Sequence, residues 1–280
     1  MIFQTLPLNC LPKWRDRLTP LYLEHTRIDV DDSSVRSVSA AGTLPIPIAT
    51  ITSLLLGPGT SITHAAIKAC ASVNLPIFWV GEDSLHYYSG GASFTADNSN
   101  LRLQLKYASS SEFALVVARR LFTYRFPSSE CASASLAQLR GMEGLRVRKT
   151  YEELGKKYRV IWKGRKYLPN QLWVSDSINR AITIANVALY AFCTSMILSL
   201  GFSPALGFIH LDGPLPFVYD VSDLVKYETS YSAAFQAVRD HTNPDTSQIF
   251  AILSRLIIQE RVLERLPKLV MGVFDDSPDS

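Results

Sequence analysis

Ser89-Gly90-Gly91-Ala92-Ser93 separates two stretches of different character in this 280-residue chain. Five small residues with no apolar periodicity read as a linker. Before them, short runs alternate polar and apolar. Arg27-Ile28-Asp29-Val30 is followed by Asp31-Asp32-Ser33-Ser34, which reads as a turn. Val35–Val38, Thr43–Ile48, Ile51–Leu56, Leu75–Val80 and Leu85–Tyr88 continue at short spacing, and Gly57-Pro58-Gly59 stops the fourth run. Thr60 or Ser61 is expected to cap a short helix through Ala71. After the linker, apolar residues recur at helical spacing over Ser111–Phe126, Ser133–Tyr158, Ser175–Leu200, Val221–Asp240 and Ser247–Val270. The expected fold class is α+β. A small N-terminal β-sandwich domain (1–90) and a linker (91–98) precede a larger all-α C-terminal domain (99–274). Residues 275–280 are expected to be a disordered tail.

Composition limits the function classes. The apolar share is 47% and the formal net charge +3, enough apolar residues for a core and too little charge to name a partner. Cys10, Cys70, Cys131 and Cys193 form no Cys-x-x-Cys pair, and the first residues lack a basic, then apolar, leader pattern, so a reducing cytoplasm is expected. Ala181–Phe202 is uncharged and close to the ~20 residues of a bilayer helix. Its Thr183, Asn186, Thr194, Ser195 and Ser199 favour a buried core helix, and no membrane association is expected.

The chemistry gathers around Gly207-Phe208-Ile209-His210 and Phe217-Val218-Tyr219-Asp220-Val221-Ser222-Asp223. An imidazole and two carboxylates among apolar residues need partners, protons or a cation. Pro214 and Pro216 disfavour helix before Phe217, so a helix is expected to start near Asp220, with Asp220 and Asp223 on one face. Two readings stand. Asp220 is an N-cap with Asp223 in the first turn, or the pair joins His210 around a metal. Carboxylates with one imidazole suit Mg²⁺ or Mn²⁺ better than structural zinc. Glu143, between Gly141 and Gly144 in a helical run, is the candidate further ligand. Its competing reading is a surface acid paired with Arg140 or Arg146.

Ten basic residues lie between Arg140 and Lys166 against three acidic ones, a local +7 that leaves −4 for the rest of the chain. Tyr151, Tyr158, Trp162 and Tyr167 interleave with them. Cations that hold phosphates, among rings that stack on bases, suit nucleic acid. Arg140, Arg146, Arg148, Tyr167, Tyr219 and Lys226 are the candidate DNA contacts. The only Gly-Lys pair, Gly155-Lys156, is followed by Lys157 where a Walker loop needs Ser or Thr, so nucleotide hydrolysis is not indicated.

Taken together, Leu139-Arg140-Gly141-Met142-Glu143-Gly144, Gly207–His210 and Phe217–Asp223 resemble the motifs of the CRISPR-associated integrase of the adaptation step, in its type I-E-like branch. The resemblance extends to Leu6-Pro7-Leu8-Asn9, Gly57-Pro58-Gly59-Thr60 with His64-Ala65-Ala66, and Trp79-Val80-Gly81-Glu82, in family order. It implies a metal-dependent DNA endonuclease and integrase with Glu143, His210 and Asp223 on Mg²⁺ or Mn²⁺ and Asp220 in the same acidic pocket. The 3′-hydroxyl of a short double-stranded DNA (the protospacer) would attack a phosphodiester of the CRISPR repeat without ATP. The implied assembly is homodimers flanking a small ferredoxin-like adaptation subunit. This chain has His25 where relatives brace the duplex end with an aromatic ring, and Ser61 and His86 where arginines are expected. Two rival readings are a non-catalytic DNA-binding scaffold and a metal-dependent nuclease on RNA or branched DNA without integration.

Overall fold

The computed structural model describes residues 21–32, 34–51, 53–81, 87–91, 98–126, 130–166 and 176–275. Tyr167, His86, Glu82, Leu6–Asn9, Ala92-Ser93 and the tail beyond 275 lie outside the described residues. The strands are β1 (Leu21–Leu23), β2 (Arg27–Asp31), β3 (Ser34–Ser39), β4 (Gly42–Pro45), β5 (Leu54–Leu56), β6 (Ser61–Ile62), β7 (Ile77–Val80) and β8 (Tyr87–Gly91). The helices are α1 (His64–Ser72), α2 (Ser99–Ala108), α3 (Ser111–Arg125), α4 (Glu130–Ser133), α5 (Leu136–Tyr158), α6 (Ser177–Ser199), α7 (Pro216–Ser222), α8 (Ser232–His241), α9 (Thr246–Gln259) and α10 (Val262–Gly272). The α+β order of the sequence reading is the order observed.

The strands form two four-stranded sheets, ordered β1-β5-β7-β8 and β4-β3-β2-β6. Alternation of side chains along a strand explains how one sheet serves two cores. Leu54 and Leu56 of β5 pack with Ile28 and Val35 of the other sheet and with Ala66, Ala69 and Cys70 of α1. Leu55 points the other way, to Phe78, Val80 and Ala191 of α6. The cap of α1 is Thr63, whose hydroxyl accepts from Ala66 N at 3.3 Å, because Ser61 is taken into β6.

The linker reading is corrected in part. Ser89, Gly90 and Gly91 pair with β7 as strand β8. A Cβ on Gly90 would lie 2.4 Å from Phe78 Cδ1 and 2.6 Å from the Ile77 carbonyl oxygen. Glycine stands there because two backbones approach closely, not because the chain must be loose.

In the helical part, α6 runs through the core. Ile182, Ala185, Leu189, Phe192, Met196 and Ile197 are all buried. Ser177–Leu198 is long and apolar enough to cross a membrane, yet 72% of its most apolar window is buried inside the protein. A helix apolar on all sides is what a core position requires.

Three helical expectations change. No reading of periodicity covered α2. The run over Val221–Asp240 is three pieces: the end of α7, a π-helical turn at Tyr227–Tyr231, and α8. Hydroxyls compete for the backbone there, with Thr229 Oγ1 donating to the Val225 carbonyl and Ser232 Oγ to that of Tyr227. The run over Ser247–Val270 breaks between α9 and α10, where Arg261 adopts φ 52°.

Candidate active site

The segment Gly207–His210 connects α6 to α7 and is folded down by one side chain. Asp220, fully buried on α7, accepts four hydrogen bonds. Its Oδ2 takes the N–H groups of Phe208 at 2.6 Å and Ile209 at 3.1 Å. Its Oδ1 takes the His210 N–H at 2.9 Å and His210 Nδ1 at 2.8 Å. This corrects the N-cap reading. Helix α7 begins at Pro216, where a missing N–H is harmless and the fixed φ helps, so Asp220 falls inside the helix. Its lone pairs are used up on the loop, which leaves it to orient His210 rather than to bind a cation. Gly207 is required by the same fold, since a Cβ there would lie 2.2 Å from the His210 carbonyl oxygen.

With Nδ1 on Asp220, the His210 ring has Nε2 left for a ligand or proton, the usual arrangement of a carboxylate behind a metal-binding imidazole. The hydrogen bond to Asp220 raises the His210 pKa above its ordinary value. Burial opposes that, and the charges of Asp223 and Asp220 add to it.

Asp223 caps the C-terminus of α7, and Glu143 projects from α5. Arg125, the last residue of α3, joins them. Its Nη1 lies 2.7 Å from Glu143 Oε1 and 3.3 Å from Asp223 Oδ2. Lys226 Nζ lies 2.6 Å from Asp223 Oδ1 and 4.8 Å from the centroid of the Tyr190 ring. Burial alone would push the Asp223 carboxyl up, but Lys226 and then Arg125 hold it below the ordinary carboxylate range. Burial likewise disfavours both cations, and the carboxylates outweigh it, raising Arg125 and, more strongly, Lys226. The competing sequence reading of Glu143, a pair with Arg140 or Arg146, gives way to the ion pair across helices. Gly141 and Gly144 face open space, with no atom within 4 Å of an added Cβ.

The basic stretch divides into an exposed and an internal part. Arg148, Lys149, Lys156, Lys157, Arg159, Lys163 and Lys166 are exposed. Arg140 is exposed too, but it donates to the Ile209 carbonyl, bracing the residue beside His210. Arg146 lies over the Phe126 ring at 4.6 Å, with Nη1 buried and, among the described residues, without a hydrogen-bond partner. Lys226, read as a DNA contact or solvated cation, is buried on Asp223. The aromatic signal is corrected: Tyr151 stacks on Trp162 at 4.7 Å and meets Tyr231 at 4.7 Å, and both Tyr151 and Tyr158 are buried. These rings pack the core beneath the basic residues. Tyr219 is half-buried, edge-on to His210 at 5.7 Å and to Tyr190 at 5.1 Å. His210, Tyr219, Lys226, Tyr190 and Arg165 line one cleft of about 460 Å³.

Among the described residues, no three His, Cys, Asp or Glu side chains are gathered closely enough to form a finished metal cage. The reason is visible in the ion pairs: a guanidinium separates Glu143 from Asp223, and an ammonium takes the second Asp223 oxygen. The donor set still fits a hard divalent cation with one imidazole. A positive nitrogen already bridges the two carboxylates, a stand-in for such an ion. The residues missed by sequence reasoning are Arg125 and Gln104. Gln104 Nε2 donates to the carbonyls of Ser203 at 3.0 Å and Leu206 at 2.8 Å, fixing the approach to Gly207.

Comparisons with known proteins give the family. A family model described as CRISPR associated protein Cas1 matches residues 127–247, a span that includes Glu143, His210, Asp220 and Asp223. A Chlorobaculum tepidum protein named CRISPR-associated endonuclease Cas1 2 is 45% identical over 231 residues, covering 82% of this chain and 78% of that protein. CRISPR-associated endonuclease Cas1 of Escherichia coli K12 is 35% identical over 270 residues, covering 96% of this chain and 88% of that protein. A solved TtCas1–DNA complex matches with TM-score 0.72 at 35% identity, covering 95% of this chain and 100% of that chain. With 45% identity over 82% of this chain and 35% identity over 96% of it, the chain belongs to the Cas1 family.

Proposed function

We propose that this chain is a metal-dependent DNA endonuclease and integrase of CRISPR adaptation. It would insert short DNA fragments into a repeat array by transesterification at Glu143, His210 and Asp223. The observation that carries the reading is the convergence of Glu143 and Asp223, from separate helices, on one positive nitrogen. Beside them stands an imidazole oriented by a buried carboxylate. Relatives bear the name endonuclease, and one was solved with DNA. Mg²⁺ or Mn²⁺ bound there would polarise the scissile phosphate and offset charge on the attacking and leaving oxygens. Glu143 and Asp223 would hold that charge, His210 Nε2 would complete the set, and Asp220 would keep the ring in place. Arg148 and its exposed basic neighbours would hold the DNA backbone. Tyr219 would bound the cleft at the reacting end. The working assembly would be homodimers with a small ferredoxin-like adaptation subunit.

The test is a supercoiled plasmid carrying a repeat array, scored for inserted oligonucleotide with and without the small partner, in Mn²⁺ or EDTA. The wild type inserts only with Mn²⁺. Glu143→Ala, His210→Ala and Asp223→Ala fail to insert while remaining folded. Insertion by His210→Ala at the wild-type rate refutes the metal-site assignment. Metal-dependent cleavage without insertion, under all conditions, favours a simple nuclease, and DNA binding indifferent to metal favours a scaffold.

A further inference from the structure

We propose that Arg125 is the resident cation of the Glu143–Asp223 seat, and that a divalent ion enters by displacing its guanidinium rather than by joining it. The inference rests on the proposed role of these two carboxylates as metal ligands and goes beyond it by naming what the metal must compete with.

Three observations carry it. One nitrogen, Arg125 Nη1, touches both acids, at 2.7 Å from Glu143 and 3.3 Å from Asp223, so it stands where a bridging ion would stand. That nitrogen is buried, close to Glu143 Oε1 and farther from Asp223 Oδ2, so it is held by charge shared unequally between two acids. A divalent ion offers the same two oxygens a stronger charge. Lys226 is more firmly tied, with Nζ 2.6 Å from the other Asp223 oxygen and a face of Tyr190 beneath it.

Charge supplies the physical reason for exchange. Arg125 and Lys226 already balance Glu143 and Asp223, and Arg125 and Asp223 are almost wholly buried, at 8% and 7% side-chain exposure. A divalent ion added to that balanced cluster would leave a surplus of two positive charges in a poorly solvated place, which is strongly unfavourable. Expelling one monovalent cation halves the surplus. Arg125 ends α3, and its guanidinium also rests 4.9 Å from the Phe126 ring centroid and 5.7 Å from that of Phe122, contacts that do not depend on the two acids.

The experiment titrates Mn²⁺ alone into metal-stripped full-length protein, following the EPR signal of the free aqua ion, for wild type, Arg125→Gln and His210→Ala. Arg125→Gln is expected to bind about tenfold tighter or better, because the ion no longer has to displace a cation from the two carboxylates. It should also melt lower without metal, and regain stability as Mn²⁺ is added. A folded Arg125→Gln with unchanged or weaker affinity overturns the proposal. If wild type binds, His210→Ala does not and Arg125→Gln is unchanged, the metal site stands and only the exchange falls. If neither wild type nor Arg125→Gln binds, the metal site falls and takes the exchange with it. Should Arg125→Gln not fold, ¹⁵N NMR of the wild-type guanidinium decides. The Arg125 Nε resonance moves on saturation with Mg²⁺ if the side chain is expelled. An unmoved resonance overturns the proposal.

Discussion

Asp220→Asn is the substitution that most directly tests how the site is built. It changes one oxygen to nitrogen in a fully buried group of nearly the same shape. Four donors converge on the native carboxylate: three backbone N–H groups and His210 Nδ1. An amide offers one oxygen, which can serve either the Phe208–Ile209 pair or the two His210 groups. The NH₂ group would then face two donors if it is turned to Phe208 and Ile209, but only the backbone N–H if it is turned to His210, whose Nδ1 can accept in the other neutral tautomer. An unsatisfied buried donor costs about 1–3 kcal/mol, so the loss should be about 1–6 kcal/mol. The upper half applies if Phe208 and Ile209 are the orphans, because both are buried, whereas the His210 side chain is 40% exposed and can find water. Urea unfolding followed by circular dichroism gives the number, with an unchanged m-value as the sign that only stability moved. Mn²⁺ affinity should fall by roughly 10–100-fold, the usual effect of removing the partner behind a metal-binding imidazole. A stability loss below about 1 kcal/mol would show that Asp220 does not hold four donors, and the account of the loop would fail.

Other perturbations follow from the same geometry. Gly207→Ala places a Cβ 2.2 Å from the His210 carbonyl oxygen and 2.9 Å from the Pro216 carbonyl carbon, so something must move. A loss of about 1–3 kcal/mol or more in urea unfolding, with loss of DNA insertion, is expected. A wild-type-like protein would mean the loop is softer than described. In metal-free protein, the His210 imidazole should titrate above its ordinary value of about 6.5, as NMR would show. A folded pKa above the unfolded one means stability that is fully present below about pH 6.5 and is lost as pH rises through the folded value. An imidazole titrating at or below 6.5 would refute the bond to Asp220.

Parts of this site were legible in the sequence for a definable reason. His210, Asp220 and Asp223 stood out because polar groups among Phe, Ile and Val need partners, and here they have them. The helix start was misplaced because Pro216 was read as a breaker, although proline is well suited to the first helical position. The aromatic residues of the basic stretch were read as a surface. Yet Tyr151, Leu154 and Tyr158 lie three and four apart, the spacing of a buried helix stripe, and this periodicity pointed to core. Gly90 looked like a linker residue because sequence records small size but not the approach of Phe78 that demands it. Arg125 was not legible at all. A basic residue in the last turn of a helix is ordinary beside the helix dipole, and its two acidic partners sit on elements far along the chain.

The same contacts imply a protein that folds without the ion it is proposed to use. In a structural metal site, ligands are left unpaired unless the metal binds, and chelation unfolds the domain. Here each candidate ligand already has a counter-ion or a hydrogen bond. Glu143 has Arg125, Asp223 has Arg125 and Lys226, and His210 has Asp220. Around them lies a single apolar core that reaches from Tyr107 of α2 to Phe274. Treatment with EDTA should therefore abolish DNA insertion and leave the far-UV spectrum and a cooperative unfolding transition in place. Readdition of Mn²⁺ should restore activity without a refolding step. If chelation instead removed the cooperative transition, the cation pairs could not be what satisfies these carboxylates. The metal would then be structural, and Arg125 would be a bystander.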